Sequence, residues 1–351
     1  MKTLAIGTMS GTSLDGIDIA LCSFSDSGKT WNYEIVEAQT IAYPDPWIEK
    51  LKGAHHLNAQ EFLLLNNEYG RYTGELISKF LRGKDSPQLI ASHGHTIFHQ
   101  PEKKLTFQLG NGASLAAATG ITTISDFRNF DVALGGQGAP LVPIGDQLLF
   151  PEYDYCLNIG GFANISFELN GVRIAFDIAP ANIILNNLAQ QSGYPYDQDG
   201  RMGAKGTVDE SLLKKLNTLD FYDQKWPKSL GREWIDHQIT PLLSASGLSI
   251  EDQASTIYEH IAHQISRVTG NTGRLLATGG GSKNKYLIDK LKHKTSCKIV
   301  LPDEKLIDFK EALIFAFLGV LAFHGRVNVL SSVTGSVQDH IGGIIYHRGN
   351  K

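Results

Sequence analysis

The stretch Lys2-Thr-Leu-Ala-Ile-Gly-Thr-Met-Ser-Gly-Thr-Ser-Leu-Asp-Gly-Ile-Asp-Ile-Ala-Leu21 decides the reading of this chain. An apolar run (Leu4, Ala5, Ile6) enters a turn of small polar residues, and a second run (Ile17, Ile19, Leu21) leaves it. That is strand, turn, strand. The turn holds Gly7, Gly11 and Gly16 among Thr8, Ser10, Thr12 and Ser13, and it is longer than a hairpin needs. Glycines allow a ligand to approach the backbone, and the hydroxyls and N–H groups suit phosphate oxygens. Asp15 and Asp18 make sense if a divalent cation accompanies the phosphates. The plainer alternative is a decorated β-turn with no ligand. It is not a Walker loop, because no Lys follows a glycine at the required spacing and no helical pattern follows.

At 351 residues the chain exceeds the size at which one core stops growing, about 250–300 residues, so two domains are expected. An apolar fraction of 42 % with 19 % charged residues describes a folded globular chain. The net charge of −4 is too mild for a nucleic-acid or anionic-membrane surface. Cys22, Cys156 and Cys297 are sparse and lack metal-ligand spacing, which fits a reducing compartment. No signal peptide or membrane span is legible, and the cytoplasm is the expected location.

Outward from the opening, Gly16–Ser23 and Trp31–Tyr43 alternate as strands and complete a three-stranded meander with Lys2–Gly7. Asn58 with Glu61 forms a capping-box pattern. Phe62, Leu65, Tyr69, Tyr72, Leu76 and Phe80 then trace one buried helix face. Gln88–Ser92 is a short buried strand leading into His93-Gly-His-Thr96; Thr106–Leu109 and Ile121–Ser125 are further strands. The pattern then restarts. Tyr155–Ile159, Ala163–Glu168 and Val172–Phe176 are strands with Gly160-Gly161 and Asn170-Gly171 at the turns, followed by a helix over Ala181–Ser192. After a polar, irregular section (Gly193–Ser229) come helices near Trp234–Ser244 and Asp252–Val268. Next is a strand, Arg274–Thr278, ending in Gly279-Gly280-Gly281-Ser282, then a strand at Lys298–Leu301. Last is a strongly apolar helix, Glu311–His324. A glycine turn in each half, facing across a cleft, can take phosphates from both sides. The third turn, before a helix N-terminus, can take the nucleoside.

These residues resemble the anhydro-N-acetylmuramic acid kinases of the actin/hexokinase/Hsp70 superfamily. The likeness rests on Gly7-Thr-Met-Ser-Gly-Thr-Ser-Leu-Asp-Gly-Ile-Asp18, His93-Gly-His-Thr96, Asp126-Phe-Arg128, and Asp131-Val-Ala-Leu-Gly-Gly-Gln-Gly-Ala-Pro-Leu-Val-Pro143. It continues through Leu157-Asn-Ile-Gly-Gly-Phe-Ala-Asn-Ile-Ser166, Lys228-Ser-Leu-Gly-Arg-Glu233, Thr278-Gly-Gly-Gly-Ser-Lys-Asn284, Glu311-Ala-Leu-Ile-Phe-Ala-Phe317 and Ser332-Val-Thr-Gly335. The resemblance implies an α/β, two-domain actin-like ATPase with a duplicated ribonuclease H-like core and a central nucleotide cleft. The expected domains are 1–130 and 131–351, with the last helix and tail able to pack back onto the first. The implied reaction opens 1,6-anhydro-N-acetylmuramic acid with water and phosphorylates O6, using ATP and Mg²⁺. The implied assembly is a homodimer.

In the family an aspartate in a D-T-G-P-G-N string activates the water; here the string reads Asp177-Ile-Ala-Pro-Ala-Asn182. If the missing glycines need φ > 0, the alanines cost about 1 kcal/mol or more. If the glycines only admit a ligand, the methyls narrow the site. This departure leaves room for a different anhydro- or amino-sugar. A nucleotide-binding sensor without turnover is the rival of another class, and the retained Asp177 and Glu311 argue against it. His95, where glutamine is usual, is a second departure.

Asp177 is the expected general base; from residues alone it could equally cap the next helix. Glu311 opens the last helix and is either a sugar contact, as the resemblance implies, or a first-turn acid serving the dipole. Arg128 can fork onto the lactyl carboxylate, or pair with Asp126 or Asp131 at the surface. His93, Thr96 and Gln137 join Arg128 and Glu311 as expected sugar-binding residues, with Gly135-Gly-Gln-Gly138 as a close-approach loop. Gly11, Thr12, Ser13, Leu14, Asp15, Gly16, Ile17 and Asp18 form the first expected ATP turn. Asn158, Gly160, Gly161 and Asn164 form the second, and Gly279, Gly280, Gly281 and Ser282 the nucleoside turn. Asp15 or Asp18 is expected to reach Mg²⁺. His93 and His95 lack a third ligand for a transition-metal site.

Overall fold

The fold was described from a computed structural model, which covers residues 2–347 apart from Thr12, Lys29 and Asn271. The chain divides into two units, residues 1–150 with 309–351, and residues 151–308. The division falls after Phe150 rather than near Asp131, because Asp131 is fully buried among first-unit partners. The chain from residue 309 onward, most of the last long helix with the tail, falls in the first unit.

In the first unit, β1 (Lys2–Ser10), β2 (Gly16–Asp26) and β3 (Trp31–Ala42) form an antiparallel meander. β4 (Leu89–Gln100) lies parallel beside β1, β5 (Leu105–Leu109) hangs off β4, and β6 (Thr122–Ser125) runs parallel to β4. In the second unit, β7 (Tyr155–Ile159), β8 (Phe162–Leu169) and β9 (Val172–Pro180) repeat the meander. β10 (Arg274–Thr278) and β11 (Lys298–Val300) add on in parallel. β12 (Ile344–Tyr346) closes the edge of the first sheet against β6. Reading outward from the third strand of each meander, the orders are β3-β2-β1-β4-β6 and β9-β8-β7-β10-β11. The two units therefore share one topology, the expected duplicated ribonuclease H-like core of an actin-like fold.

The local signals hold. Asn58 caps the helix Ala59–Phe80 reciprocally with Glu61, and Leu65, Tyr69, Leu76 and Phe80 are buried on one face. Two elements differ from expectation in ways that matter for the site. The last long helix is Glu304–Phe323, starting seven residues before Glu311. Asp303 caps it, its carboxylate accepting from the Leu306 N–H at 2.8 Å. The apolar stripe alone hid that polar first turn, and the first-turn role for Glu311 is excluded. β9 runs on to Pro180, so Asp177 lies inside a strand. The next helix, Asn182–Gln191, starts after Ala181 with no side-chain cap, which removes the capping role for Asp177.

Candidate active-site residues in each unit

In the first unit, the opening glycines do different jobs. A Cβ on Gly7 would stand 1.8 Å from the Ala312 carbonyl oxygen, and one on Gly16 2.5 Å from that of Ile41. Both serve close packing of backbone on backbone rather than ligand approach. Gly11 alone of the three faces open space, its nearest neighbour being Ser13 Oγ at 3.3 Å. Leu14 adopts φ = 61°, in the left-handed region, which lets the turn reverse. Thr12 lies outside the described residues. Ile17 is buried in the core, so only its backbone is available to a ligand. Asp15 is exposed and accepts from Ser13 Oγ at 2.8 Å. Asp18 accepts from Thr40 Oγ1 at 2.6 Å.

Glu311 and Phe315 are one turn apart on the last helix and share a face. Phe315 packs on the His93 ring, with centroids 4.6 Å apart. His93 donates from Nδ1 to the Gly94 carbonyl (2.9 Å) and accepts at Nε2 from Arg128 Nε (3.1 Å) and Nη2 (2.8 Å). Burial, then the Arg128 charge, hold the imidazole well below its ordinary pKa, so it is neutral. Arg128 Nη1 donates to the Gly138 carbonyl at 2.6 Å. Neither surface pair expected for Arg128 forms within 4 Å among the described residues. Asp126 instead receives Asn129, and Asp131 receives Gly138. Desolvation brings the Arg128 guanidinium down to about 10, with Glu311 and Asp131 pulling it back up, so it stays charged. The Glu311 carboxyl is pushed up by desolvation and by Asp18, against the opposing pull of Arg128 and Lys310. Glu311 nonetheless keeps water-accessible surface, so its desolvation is that of a recessed position, not a sealed one. Electrostatically, then, Glu311 feels both Asp18 and Arg128, and Arg128 in turn feels Glu311.

His95 is buried and bonded through Nδ1 to Ser10 Oγ (2.8 Å), which meets the Tyr43 hydroxyl at 2.7 Å. It belongs to the polar core beneath β1. Thr96 is half-buried on β4, and Gln137 is exposed, held by its N–H to the Thr334 carbonyl at 2.8 Å.

In the second unit, strand register builds a polar row. Thr278 lies beside Asn158, Asn158 beside Asn164, and Asn164 beside Asp177. Directly opposite residues share a sheet face, so three expected site residues stand together on β7, β8 and β9. Asp177 is half-buried. Its Oδ2 accepts from the Leu230 N–H at 2.9 Å, and its own N–H donates to the Lys228 carbonyl at 3.2 Å. Among the described residues no other hydrogen bond reaches this carboxylate. Desolvation raises its pKa and the Leu230 N–H lowers it, with the rise winning. The Lys228–Leu230 segment falls in the irregular region, and its reach to Asp177 had no local signal.

Ile178, Ala179 and Ala181 are buried at 2 %, 0 % and 0 % exposure, and neither alanine has φ > 0. Their side chains pack into the core of the second unit. Gly160 and Gly161 are open, with nothing nearer than 3.6 Å to a built Cβ. Their carbonyls accept from the N–H groups of Asn182 and Ala181, fastening the turn to the helix start. At the nucleoside turn, Gly279 adopts φ = 79° and Gly281 packs on Ile159. Ser282 is buried and closes the turn onto the Gly279 carbonyl at 2.7 Å. Gly280 is open.

Gly280 and Gly281 line a pocket of about 410 Å³, together with Asn182, Leu185, Asn186, Tyr196, Asp197, Tyr258 and Asn284. Asp197 is a hub below it, accepting from the Met202 N–H (2.8 Å), the Gly203 N–H (3.1 Å) and the Tyr258 hydroxyl (3.0 Å). Sequence reading missed Asn186, Tyr196 and Asp197; they sit in or near an aperiodic stretch, and no spacing marks them. No group of three or more His, Cys, Asp or Glu side chains among the described residues is arranged to hold a metal ion. No described helix is long and apolar enough to cross a membrane.

Two sheets of one topology, each with a glycine turn, and one carrying a half-open pocket beside a third turn, define an actin-like α/β fold. Residues 3–348 match the anhydro-N-acetylmuramic acid kinase family model. An anhydro-N-acetylmuramic acid kinase of Pseudomonas fluorescens is 36 % identical, covering 98 % of this chain and 99 % of the relative. One of Sulfurimonas denitrificans is 34 % identical, covering 99 % and 100 %. Among solved structures, component A of (R)-2-hydroxyglutaryl-CoA dehydratase from Acidaminococcus fermentans is a distant likeness. Its TM-score is 0.45 at 14 % identity, covering 90 % of this chain and 96 % of that one. The chain belongs to the anhydro-N-acetylmuramic acid kinase family.

Proposed function

We propose that the chain uses ATP to convert 1,6-anhydro-N-acetylmuramic acid into N-acetylmuramic acid 6-phosphate. The observation that supports it best is Asp177. It is a half-buried carboxylate anchored at one oxygen by Leu230 and left without another hydrogen bond among the described residues. A base so placed is oriented but still able to take a proton.

Asp177 accepts a proton from water as that water attacks the anomeric carbon. The C1–O6 bond breaks, and O6 takes the phosphoryl group from ATP. The role is close to that of the general base in inverting glycoside hydrolysis. Arg128, charged and fixed by His93 and Gly138, pairs with the lactyl carboxylate. Glu311 contacts the sugar, with Thr96 and Gln137 at its margin. Gly11, Ser13 to Asp18, Asn158, Gly160, Gly161 and Asn164 take the phosphates. Gly280 and the pocket beside it take the nucleoside.

Mg²⁺ suits a site of one or two carboxylates completed by phosphates and water, and it neutralises charge on the transferring group. Asp18 is the carboxylate assigned to the ion, since its charge reaches Glu311, the expected sugar contact. The activity belongs where ATP is, in the cytoplasm, and the implied homodimer is read by light scattering.

The test is ADP release with Mg·ATP and 1,6-anhydro-N-acetylmuramic acid, with the product weighed. A product heavier by one phosphoryl group plus one water supports the reading; ADP without that product refutes it. Asp177→Asn is expected to keep ATP binding and lose about 10²–10⁴ of the rate. If it keeps more than about a tenth, a loss of barely 1.4 kcal/mol in barrier, Asp177 is not the base.

A further inference from the structure

Asp131 and Thr334 lie 203 residues apart, and neither side chain has a role in the chemistry above. They meet in the first unit. Asp131 is fully buried. Its Oδ2 accepts from the Gly138 N–H at 2.6 Å, and its Oδ1 accepts from Thr334 Oγ1 at 2.6 Å. His340 Nε2 stands 3.7 Å from the same Oδ1. Gly136 passes so close that a Cβ there would fall 2.2 Å from Oδ2. The Thr334 carbonyl holds the Gln137 N–H at 2.8 Å, and the Leu134 carbonyl holds the Val337 N–H at 3.2 Å. The 135–138 loop is thus pinned on both sides by a segment near the C-terminus.

The pinned loop ends at Gly138, whose carbonyl accepts from Arg128 Nη1 at 2.6 Å. His93 takes Nε and one Nη2 proton. Two supports therefore aim the guanidinium, one a ring and one a loop. The ring is rigid by itself, clamped by Gly94 and Phe315. The loop's start is held by backbone bonds of its own, but its end at Gly138 is held by the Asp131 carboxylate, which the Thr334 hydroxyl braces.

We propose that Asp131 and Thr334 are positioning residues for Arg128, and that the C-terminal segment thereby sets the enzyme's preference for a sugar carrying a carboxylate. This rests on the reading of Arg128 as the carboxylate's partner. A guanidinium reads a carboxylate through paired N–H bonds whose geometry tolerates little rotation. A loop free to shift would loosen that match without touching the glycosidic chemistry.

The experiment compares Thr334→Val, which removes only the hydroxyl, with Thr334→Ser, which restores it, and with Arg128→Lys. Two sugars are used as substrate or competitive inhibitor: the anhydro-muramic acid, and the same anhydro amino sugar with a hydroxyl in place of the lactyl ether. Thr334→Val is expected to raise KM for the acid about fivefold, the scale of one lost hydrogen bond, and to move kcat less. Affinity for the analogue stays, and Thr334→Ser recovers the preference. If Thr334→Val affects both sugars alike, or neither, while Arg128→Lys abolishes the preference, Thr334 is merely structural and the proposal fails. If Arg128→Lys leaves the preference intact, the reading of Arg128 fails first and takes the proposal with it.

Discussion

Replacing Leu230 by proline removes the one N–H that reaches the candidate base, together with the leucine's packing on the core. The Leu230 N–H reaches Asp177 Oδ2 at 2.9 Å and is the donor that holds the carboxylate's charged form. A hydrogen bond to a charged group is worth ~1.5–3 kcal/mol, and one pKa unit is 1.36 kcal/mol, so losing it raises the Asp177 pKa by about 1–2 units. The base works ionised. The acid limb of the kcat/KM profile should therefore move to higher pH by the same amount, with a smaller fall on the plateau. Leu230→Ala keeps the N–H and loses only the side chain's packing, so its limb should stay where the parent's lies. The assay is a coupled ADP measurement across pH, with ATP binding and melting temperature as checks that Leu230→Pro is folded. A folded, ATP-binding proline variant whose acid limb coincides with the parent's would refute the reasoning.

The remaining expectations concern packing and titration. Gly280→Val should leave the melting temperature unchanged, since nothing lies within 4 Å, and weaken ATP binding about tenfold or more in calorimetry, about 1.4 kcal/mol. Gly281→Ala should do the reverse, because its Cβ would meet Ile159 Cγ2 at 2.3 Å, an overpacking cost of about 1–3 kcal/mol seen as a lower melting temperature. Gly7→Ala should reach or pass the top of that range, since the opposing Ala312 oxygen is backbone and cannot rotate away; urea denaturation reads it. His260 is fully buried between Asn217 and Tyr222, and burial drops its pKa from 6.5 to about 3. The unfolded chain then binds a proton that the folded one refuses. Stability is lost as pH falls from about 6.5 toward 3, and His260→Gln should flatten that slope by about one proton.

The local rules worked where the cause was local. Asn58 with Glu61 forms a capping box because both partners lie within one turn. The strands of both meanders follow from alternation between glycine turns, and their repetition made the duplicated fold legible. The rules failed where the partner lies far along the chain. Gly7 looked like a phosphate glycine, yet the Ala312 carbonyl needs its space. Glu311 looked like a first-turn acid, because the apolar stripe after it masked the polar start at Glu304. Arg128 could be read as a carboxylate partner or a surface cation, and its two supports, His93 and Gly138, are side chain and backbone brought in by separate elements.

The departures at Ile178, Ala179 and Ala181 show the same division. Composition identifies methyls where glycines are expected, and it cannot say whether they face a ligand or a core. All three side chains are buried in the second unit's core, which covers both faces of the end of β9. By itself the sequence determined the elements, the two-fold repetition and the residue types able to do phosphoryl chemistry, since these depend on periodicity and on backbone freedom at single positions. Only the tertiary structure decided which glycines face open space, which oxygen of Asp177 is held, and that Asp131 meets Thr334. Those follow from strand register and from long-range packing, in which a contact's energy depends on residues that no local window contains.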